Sequence, residues 1–265
     1  MTTKPKKIAL VCICLNQPYW EFVRPMIASA REFFLSSHNV DYFLWSDMPE
    51  ENDMGATVIP TEPIEWPMPT LLRYNLFLQQ EQKLKEYDYI FYCDADMRFV
   101  STVGDEILGD GLTAAQHPMY ALRKQYIPPY EPNQMSTAYI KRAGTIMFEN
   151  GSPRLEPVYA AGGFQGGKTE DFIKAMKVMK QRIDEDLAND YIAIWNDESH
   201  WNRYLLDNPP AVVLSPSYVY PDSLIKSYYE KLWGRNFLPR IITITKKFTL
   251  SKEGGQAVNQ TIQNL

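Results

Sequence analysis

Two rhythms of hydrophobic positions run along this chain, and together they predict an α/β order. Residues 8–15, Ile-Ala-Leu-Val-Cys-Ile-Cys-Leu, are apolar without a break and end at Asn16-Gln17-Pro18. Such a run predicts a parallel strand buried on both faces. Residues 19–35 then place Tyr19, Phe22, Val23, Met26, Ile27, Ala30 and Phe34 at helical spacing. Residues 40–45 predict a second strand, ending in Ser46-Asp47, and residues 57–59 a short third. A Pro-rich stretch over 60–69 leads into a predicted helix over about 70–86, with Leu71, Tyr74, Leu78 and Leu84 inward. Residues 89–93, Tyr-Ile-Phe-Tyr-Cys, predict the next buried strand.

Beyond residue 100 the periods loosen. Residues 126–157 are rich in turn formers and read as a long loop region with short strands; a loop of that length is functional or disordered. Residues 157–167 read as a strand followed by a glycine-rich turn. A helix is predicted over 169–188, with Phe172, Met176, Met179, Ile183 and Leu187 on one stripe. Asp197 is the predicted N-cap of a helix ending at Asp207-Asn208-Pro209-Pro210. Glu198 falls in its first turn, where the helix dipole favours an ionised carboxylate. Residues 212–214 are the last predicted strand, and a basic, irregular tail follows Leu224 with Lys226, Lys231, Arg235, Arg240, Lys246, Lys247 and Lys252. The order predicts one domain over 1–265 with a mainly parallel sheet, whose ligands lie at the carboxyl ends of its strands.

Composition narrows the partners. A chain of 265 residues that is 45% hydrophobic can bury a sizeable core. A net charge of -5 argues against nucleic acid as the main partner, although a local Lys/Arg site still suits a nucleotide. The 17 Tyr, 12 Phe and 6 Trp suit sugar or base stacking and core packing equally. Cys12, Cys14 and Cys93 lie in strand-like runs with no zinc spacing, so reduced thiols in a cytoplasmic protein are expected. No signal-type apolar run precedes Ile8 and none is long enough to span a bilayer, so no membrane anchor is expected and the sequons at Asn150 and Asn259 carry little weight.

The chemistry is concentrated where the 89–93 strand ends in Asp94-Ala95-Asp96. Carboxylates at the end of a buried strand are costly unless something positive sits there. A hard divalent cation answers that need, because Mg²⁺ and Mn²⁺ prefer oxygen ligands and keep open positions for diphosphate oxygens. On spacing alone, two solvated aspartates in a turn fit equally well. Likewise Glu198 alone reads first as a helix-start glutamate, His117 before Pro118 as a loop residue, and Trp195 and Trp201 as core.

Joined to Trp195-Asn196-Asp197-Glu198-Ser199-His200, the Asp-x-Asp motif resembles glycosyltransferase family 6, which holds the histo-blood-group A and B transferases, α1,3-galactosyltransferases and smaller microbial relatives. The resemblance runs from about Ile8 to the end, with an insertion near 143–155, and is sharpest over 88–99, His117-Pro118, 134–140, 159–167, 195–206 and 214–220. It implies a GT-A fold, a Rossmann-like, mainly parallel sheet flanked by helices. It implies a retaining transfer of N-acetylgalactosamine or galactose from a UDP-sugar to a galactose-terminated glycan acceptor in α1,3 linkage. Asp94 and Asp96 match the aspartates that hold Mn²⁺, with Mg²⁺ as a substitute. Ile13, Cys14, Leu15 and Tyr19 match uridine-binding positions, and Arg73, Ala95 and Asp197 lie on the donor side. Ala161, Gly162 and Gly163 match the segment facing the sugar's C2 substituent, where small residues admit an acetamido group. Glu198 matches the nucleophile or donor-stabilising carboxylate. His117, Trp195, Asp222 and Glu198 match the acceptor side, and Lys252 a basic residue that closes on the diphosphate.

Asn196 departs from the histidine usual in the family at that position. Bacterial members often carry Asn-x-Asn and need no metal; in keeping both aspartates, this chain looks like the metal-using form. Two other classes remain open: a different GT-A nucleotide-sugar enzyme, either an inverting transferase or a nucleotidyltransferase, and a carbohydrate-binding protein without turnover. A nucleotidyltransferase usually has a Gly-rich, Lys/Arg-bearing loop after the first strand, which Asn16-Gln17-Pro18-Tyr19 is not.

Overall fold

A computed structural model describes residues 4–48, 54–121, 128–141, 159–224 and 237–246, and the backbone of 249–250 and 257–258. Strand β1 (Lys7–Cys14) leads through a single 3-10 turn into helix α1 (Trp20–Phe33). Strands β2 (Asn39–Ser46) and β3 (Thr57–Pro60) add in parallel on one side of β1. Strand β4 (Tyr89–Cys93) pairs in parallel on the other side. Outward from β4 the sheet continues with β7 (Ala160–Lys168), β6 (Leu112–Gln116) and β8 (Val212–Leu214), giving the order β3-β2-β1-β4-β7-β6-β8. Only β7 runs against its neighbours. The winding direction reverses between β1 and β4, and such a switch point opens a crevice at the carboxyl ends of the two strands.

The uninterrupted apolar runs follow from burial on both faces. Ile8, Leu10, Cys12 and Cys14 face α1, with Val23, Met26, Ile27, Ala30 and Phe34, in one core layer. Ala9 and Val11 point the opposite way, as a period of two requires, into a second layer under α6 (Thr169–Ala188) and α7 (Asn196–Asp207). β4 splits likewise: Tyr89, Phe91 and Cys93 go to the first layer, Ile90 and Tyr92 to the second. All three cysteines are free and buried.

Four expectations change. The helix over about 70–86 is three short helices, α2 (Met68–Leu71), α3 (Arg73–Leu78) and α4 (Glu81–Leu84). Breaks at Leu72 and Gln80, both near ψ 0 to 20°, separate them, and Gln79 and Gln80 bond back only three residues. The glycines of 162–167 are not a turn but the body of β7. A Cβ at Gly166 would come within 2.3 Å of the Ile90 carbonyl oxygen, so close strand approach explains that glycine. β6 was hidden because its Leu-Thr-Ala-Ala-Gln lacks a strong apolar signal. Finally, 212–214 is not the last strand: β5 (Met97–Phe99), β9 (Tyr220–Pro221) and β10 (Ile241–Thr243) form a second sheet, in the order β5-β10-β9, beside the acidic motif. The 143–155 insertion and both sequons lie outside the described residues.

Candidate active site

Asp94 and Asp96 stand in the crevice at the switch point. The strand pairing of β4 with β7 extends one residue further, the Asp94 amide donating to the Gly163 carbonyl at 2.9 Å. Asp94 Oδ1 accepts a hydrogen bond from the Tyr92 hydroxyl and lies 3.6 Å from Arg73 Nη2. Asp96 is 4% exposed, and its Oδ2 lies 2.8 Å from Lys246 Nζ. Burial first, then Asp94, raises the Asp96 pKa, with Lys246 opposing. Lys246 reaches the site because β10 pairs with β5 and the Ile244 amide donates to the Asp96 carbonyl.

Arg73, at the start of α3, is buried with its guanidinium 3.1 Å from Asp197 Oδ2, 3.3 Å from the Gly162 carbonyl and 4.3 Å from the centre of the Tyr92 ring. Its Nε has no hydrogen-bond partner among the described residues. Asp197 is not the N-cap expected of it. Trp195 occupies that position, and Asp197 instead turns into the core to meet Arg73. Burial outweighs Arg73 and pushes the Asp197 carboxyl up to about 7.

Glu198 bonds neither of its oxygens to the start of its own helix. Oε1 accepts from the Tyr159 hydroxyl at 2.7 Å, and Oε2 from the Gly162 amide at 2.8 Å. Its pKa is raised, by burial above all. Asn202, one turn further along α7, donates to the Glu198 and Ala160 carbonyls and accepts from the Ala160 amide, which sews α7 to β7. Adjacent glycines of β7 thus hold the two halves of the site, Gly162 bonded to Glu198 and Gly163 to Asp94.

The uridine-side expectations divide. Ile13, Leu15 and Tyr19 line a cleft of about 150 Å³ with Trp66, Arg73, Tyr92, Ala95 and both motif aspartates. The Cys14 side chain is fully buried in the α1 layer instead. Lys246 lines the same cleft, whereas Lys252 lies outside the described residues. Trp66, 47% exposed at the rim, was not anticipated.

On the other side of Glu198, Tyr159 is ringed by His117, Tyr120 and Tyr130, with ring centres 5.4–5.7 Å away. His117 sits where β6 meets α5 (Pro118–Ala121), its pKa pushed by burial down to about 4. Trp195 is 49% exposed, not core, while Trp201 is fully buried. Asp222 accepts from the Thr245 amide at 3.0 Å and from its hydroxyl, and so bonds to the segment that carries Lys246.

Two buried carboxylates fasten the stretch that presents Tyr130. Glu131 accepts from the amides of Asn133 and Ile194 and from the Tyr191 hydroxyl. Asp186 accepts from Ser136 Oγ at 2.5 Å and the Thr137 amide at 2.7 Å, with His200 Nε2 3.6 Å away. Burial, against the pull of Asp186, lowers the His200 pKa from 6.5 to about 4. An unfolded histidine takes up its proton near 6.5 and the folded one only near 4, so stability is full above 6.5 and falls as pH drops through that window. The loss is on the order of 3 kcal/mol. His200→Gln should flatten this fall in thermal midpoints measured from pH 7 to 4; an unchanged slope would assign the acid loss elsewhere.

The residues fit a divalent cation. Among the described residues, Asp94, Asp96, Asp197 and Glu198 meet the cations Arg73 and Lys246 at the centre of the site, an excess of carboxylates over cations when all are ionised. Two hard carboxylates with room for ligand oxygens form a donor set that Mg²⁺ or Mn²⁺ accepts. Among the described residues there is no cluster of three or more His, Cys, Asp or Glu side chains arranged for a metal, so the other ligands would come from substrate and water.

The mainly parallel sheet, its switch-point crevice and the acidic strand end together define a GT-A-type α/β fold. The sequence model of glycosyltransferase family 6 matches residues 68–232, and the chain belongs to that family. It is 31% identical over 214 residues to human globoside alpha-1,3-N-acetylgalactosaminyltransferase 1, covering 77% of this chain and 58% of that protein. It is 33% identical over 217 residues to rat histo-blood group ABO system transferase 1, covering 78% and 59%. With the Escherichia coli O-antigen biosynthesis glycosyltransferase WbnI it shares 27% over 219 residues, covering 81% and 88%. The chain thus spans less than two thirds of the length of these two mammalian relatives. Among the described residues no helix is long and apolar enough to cross a membrane.

Proposed function

We propose that this chain transfers N-acetylgalactosamine, with galactose as the second choice, from a UDP-sugar to a galactose-terminated acceptor, with or without a fucose branch, forming an α1,3 linkage with retention of configuration. The observation that carries this reading is the pair of adjacent glycines in β7, one bonded to Glu198 and the other to Asp94. A carboxylate for the anomeric carbon and a carboxylate for the diphosphate end are thereby set either side of a backbone without side chains.

In this reading Ile13, Leu15, Tyr19 and Trp66 receive the nucleoside, and Arg73 and Asp197 bind the donor sugar. Asp94 and Asp96 would hold Mn²⁺, which supplies charge neutralisation for the leaving diphosphate. Lys246 adds a second positive charge at the same place, the role the resemblance assigned to Lys252. Glu198, on the far side of the sugar, bonds to the anomeric carbon or stabilises its positive charge. His117, Trp195 and the Tyr159 ring cluster form the acceptor wall. Asp222, already bonded to Thr245, acts there by holding the Lys246 segment.

Donor choice rests on Ala161 and Gly163, both small, as an acetamido group requires. A Cβ at Gly163 would lie 2.8 Å from Asp94 Oδ2 and 2.7 Å from Met97 Cε. Gly163→Ala therefore disturbs Asp94 as well as narrowing the pocket, and Ala161→Met, at a position only 6% exposed in the α1-side core layer, tests pocket size through the donor ratio and not the absolute rate. The wild-type protein should prefer UDP-N-acetylgalactosamine over UDP-galactose by about 10–200-fold in kcat/KM. Ala161→Met should reduce or invert that ratio. A wild-type ratio favouring galactose refutes the donor assignment; no transfer from either donor refutes the function.

A further inference from the structure

We infer that Tyr92 is a positioning residue for the transfer, its hydroxyl fixing the Asp94 carboxylate in the orientation that donor and cation require. The inference rests on the reading of Asp94 given above. Tyr92 lies two residues before Asp94 at the end of β4, so both side chains leave the same face of the sheet. It is 2% exposed, with its ring packed on Phe77 and lying beneath the Arg73 guanidinium. Its hydroxyl donates to Asp94 Oδ1, the oxygen that Arg73 also approaches. Oδ2 is left on the side of Gly163. Asp94 is one-third exposed at the cleft, so without these two partners its carboxylate would turn freely in water. Arg73 stands 3.6 Å away and is shared with Asp197, so the Tyr92 hydroxyl is the closer restraint.

The hydroxyl does no chemistry on substrate. It holds one carboxylate oxygen so that the other is presented in a single direction, and it makes a side chain at position 163 more costly, because a tethered Asp94 gives way to a Cβ less easily than a free one. Hydrogen-bond partners of this kind around metal ligands typically change metal affinity by 10–100-fold.

Tyr92→Phe keeps the ring, its packing and its contact with Arg73, and removes only the hydroxyl. Calorimetric titration of UDP with Mn²⁺ present should show about a 10-fold loss of apparent Mn²⁺ affinity. UDP binding in EDTA and the melting temperature should be unchanged. In an Asp94→Asn background, adding Tyr92→Phe should cost nothing more in the residual transfer rate, because the hydroxyl acts through that carboxylate. A folded Tyr92→Phe protein with wild-type Mn²⁺ affinity, or an equal further loss in the Asp94→Asn background, overturns the assignment. So does a Tyr92→Phe protein that fails to fold, since the hydroxyl would then be a stability element. If Asp94→Asn itself leaves Mn²⁺-dependent UDP binding intact, the reading of Asp94 fails instead.

Discussion

Asp94→Asn and Asp96→Asn should each lower transfer by at least about 100-fold and remove the gain in UDP affinity that Mn²⁺ provides, a loss of several kcal/mol in stabilising the leaving diphosphate. The asparagine amide is nearly isosteric, so the strand end should stay folded. The two variants should differ in kind. Asp94 is tied to Tyr92 and Arg73, and its neutralisation also leaves Arg73 dependent on Asp197. Asp96 is tied to Lys246, and its neutralisation frees the lysine. Asp96→Asn should therefore retain more UDP binding in EDTA, because the freed ammonium still meets the diphosphate. Wild-type turnover at full rate in excess EDTA would reject the metal assignment.

Glu198→Gln should leave donor KM within about threefold and lower kcat by about 100–1,000-fold, the usual scale for losing one electrostatic contact in a transition state. The neighbours allow the swap. The amide oxygen can still accept from the Gly162 amide, and the Tyr159 hydroxyl can turn to accept from the new NH₂ group. What disappears is the negative charge beside the anomeric carbon. A helix-start role predicts the opposite pattern, a lower melting temperature with little kinetic change. The structure already weighs against that role, since neither Glu198 oxygen bonds within α7. A variant that melts early and transfers at the wild-type rate would remove Glu198 from the mechanism.

The long periodic elements were legible because their patterns are those of burial. β1 and β4 are apolar on both faces and lie centrally in the sheet, and α6 spans 169–188 as its stripe indicates. The motif ends were legible too: Asp94, Asp96, Arg73, Asp197 and Glu198 converge in one site although they come from three separate stretches. Long-range geometry was not. Glycines that serve close strand approach look, in one dimension, like glycines that serve a turn, so β7 was read as ending early. Asp197 looked like a cap because its partner, Arg73, is remote in sequence. Lys246 and Lys252 are equivalent as letters, and only the pairing of β10 with β5 singles out Lys246. Two further site residues carry local signals in the sequence: Tyr92, two residues before Asp94 on a strand, and Asn202, four residues after Glu198 on a helix.

The decisive measurement is the proton NMR spectrum of the product made from UDP-N-acetylgalactosamine and a fucosylated galactosyl acceptor by the protein, with Mn²⁺ or with EDTA, recorded after the metal is removed. A new α-anomeric signal linked to C3 of the acceptor galactose, appearing with Mn²⁺ and suppressed by EDTA, is the outcome expected here. A β-anomeric product, pyrophosphate release in place of UDP, or acceptor binding with no product from any UDP-hexose would contradict it.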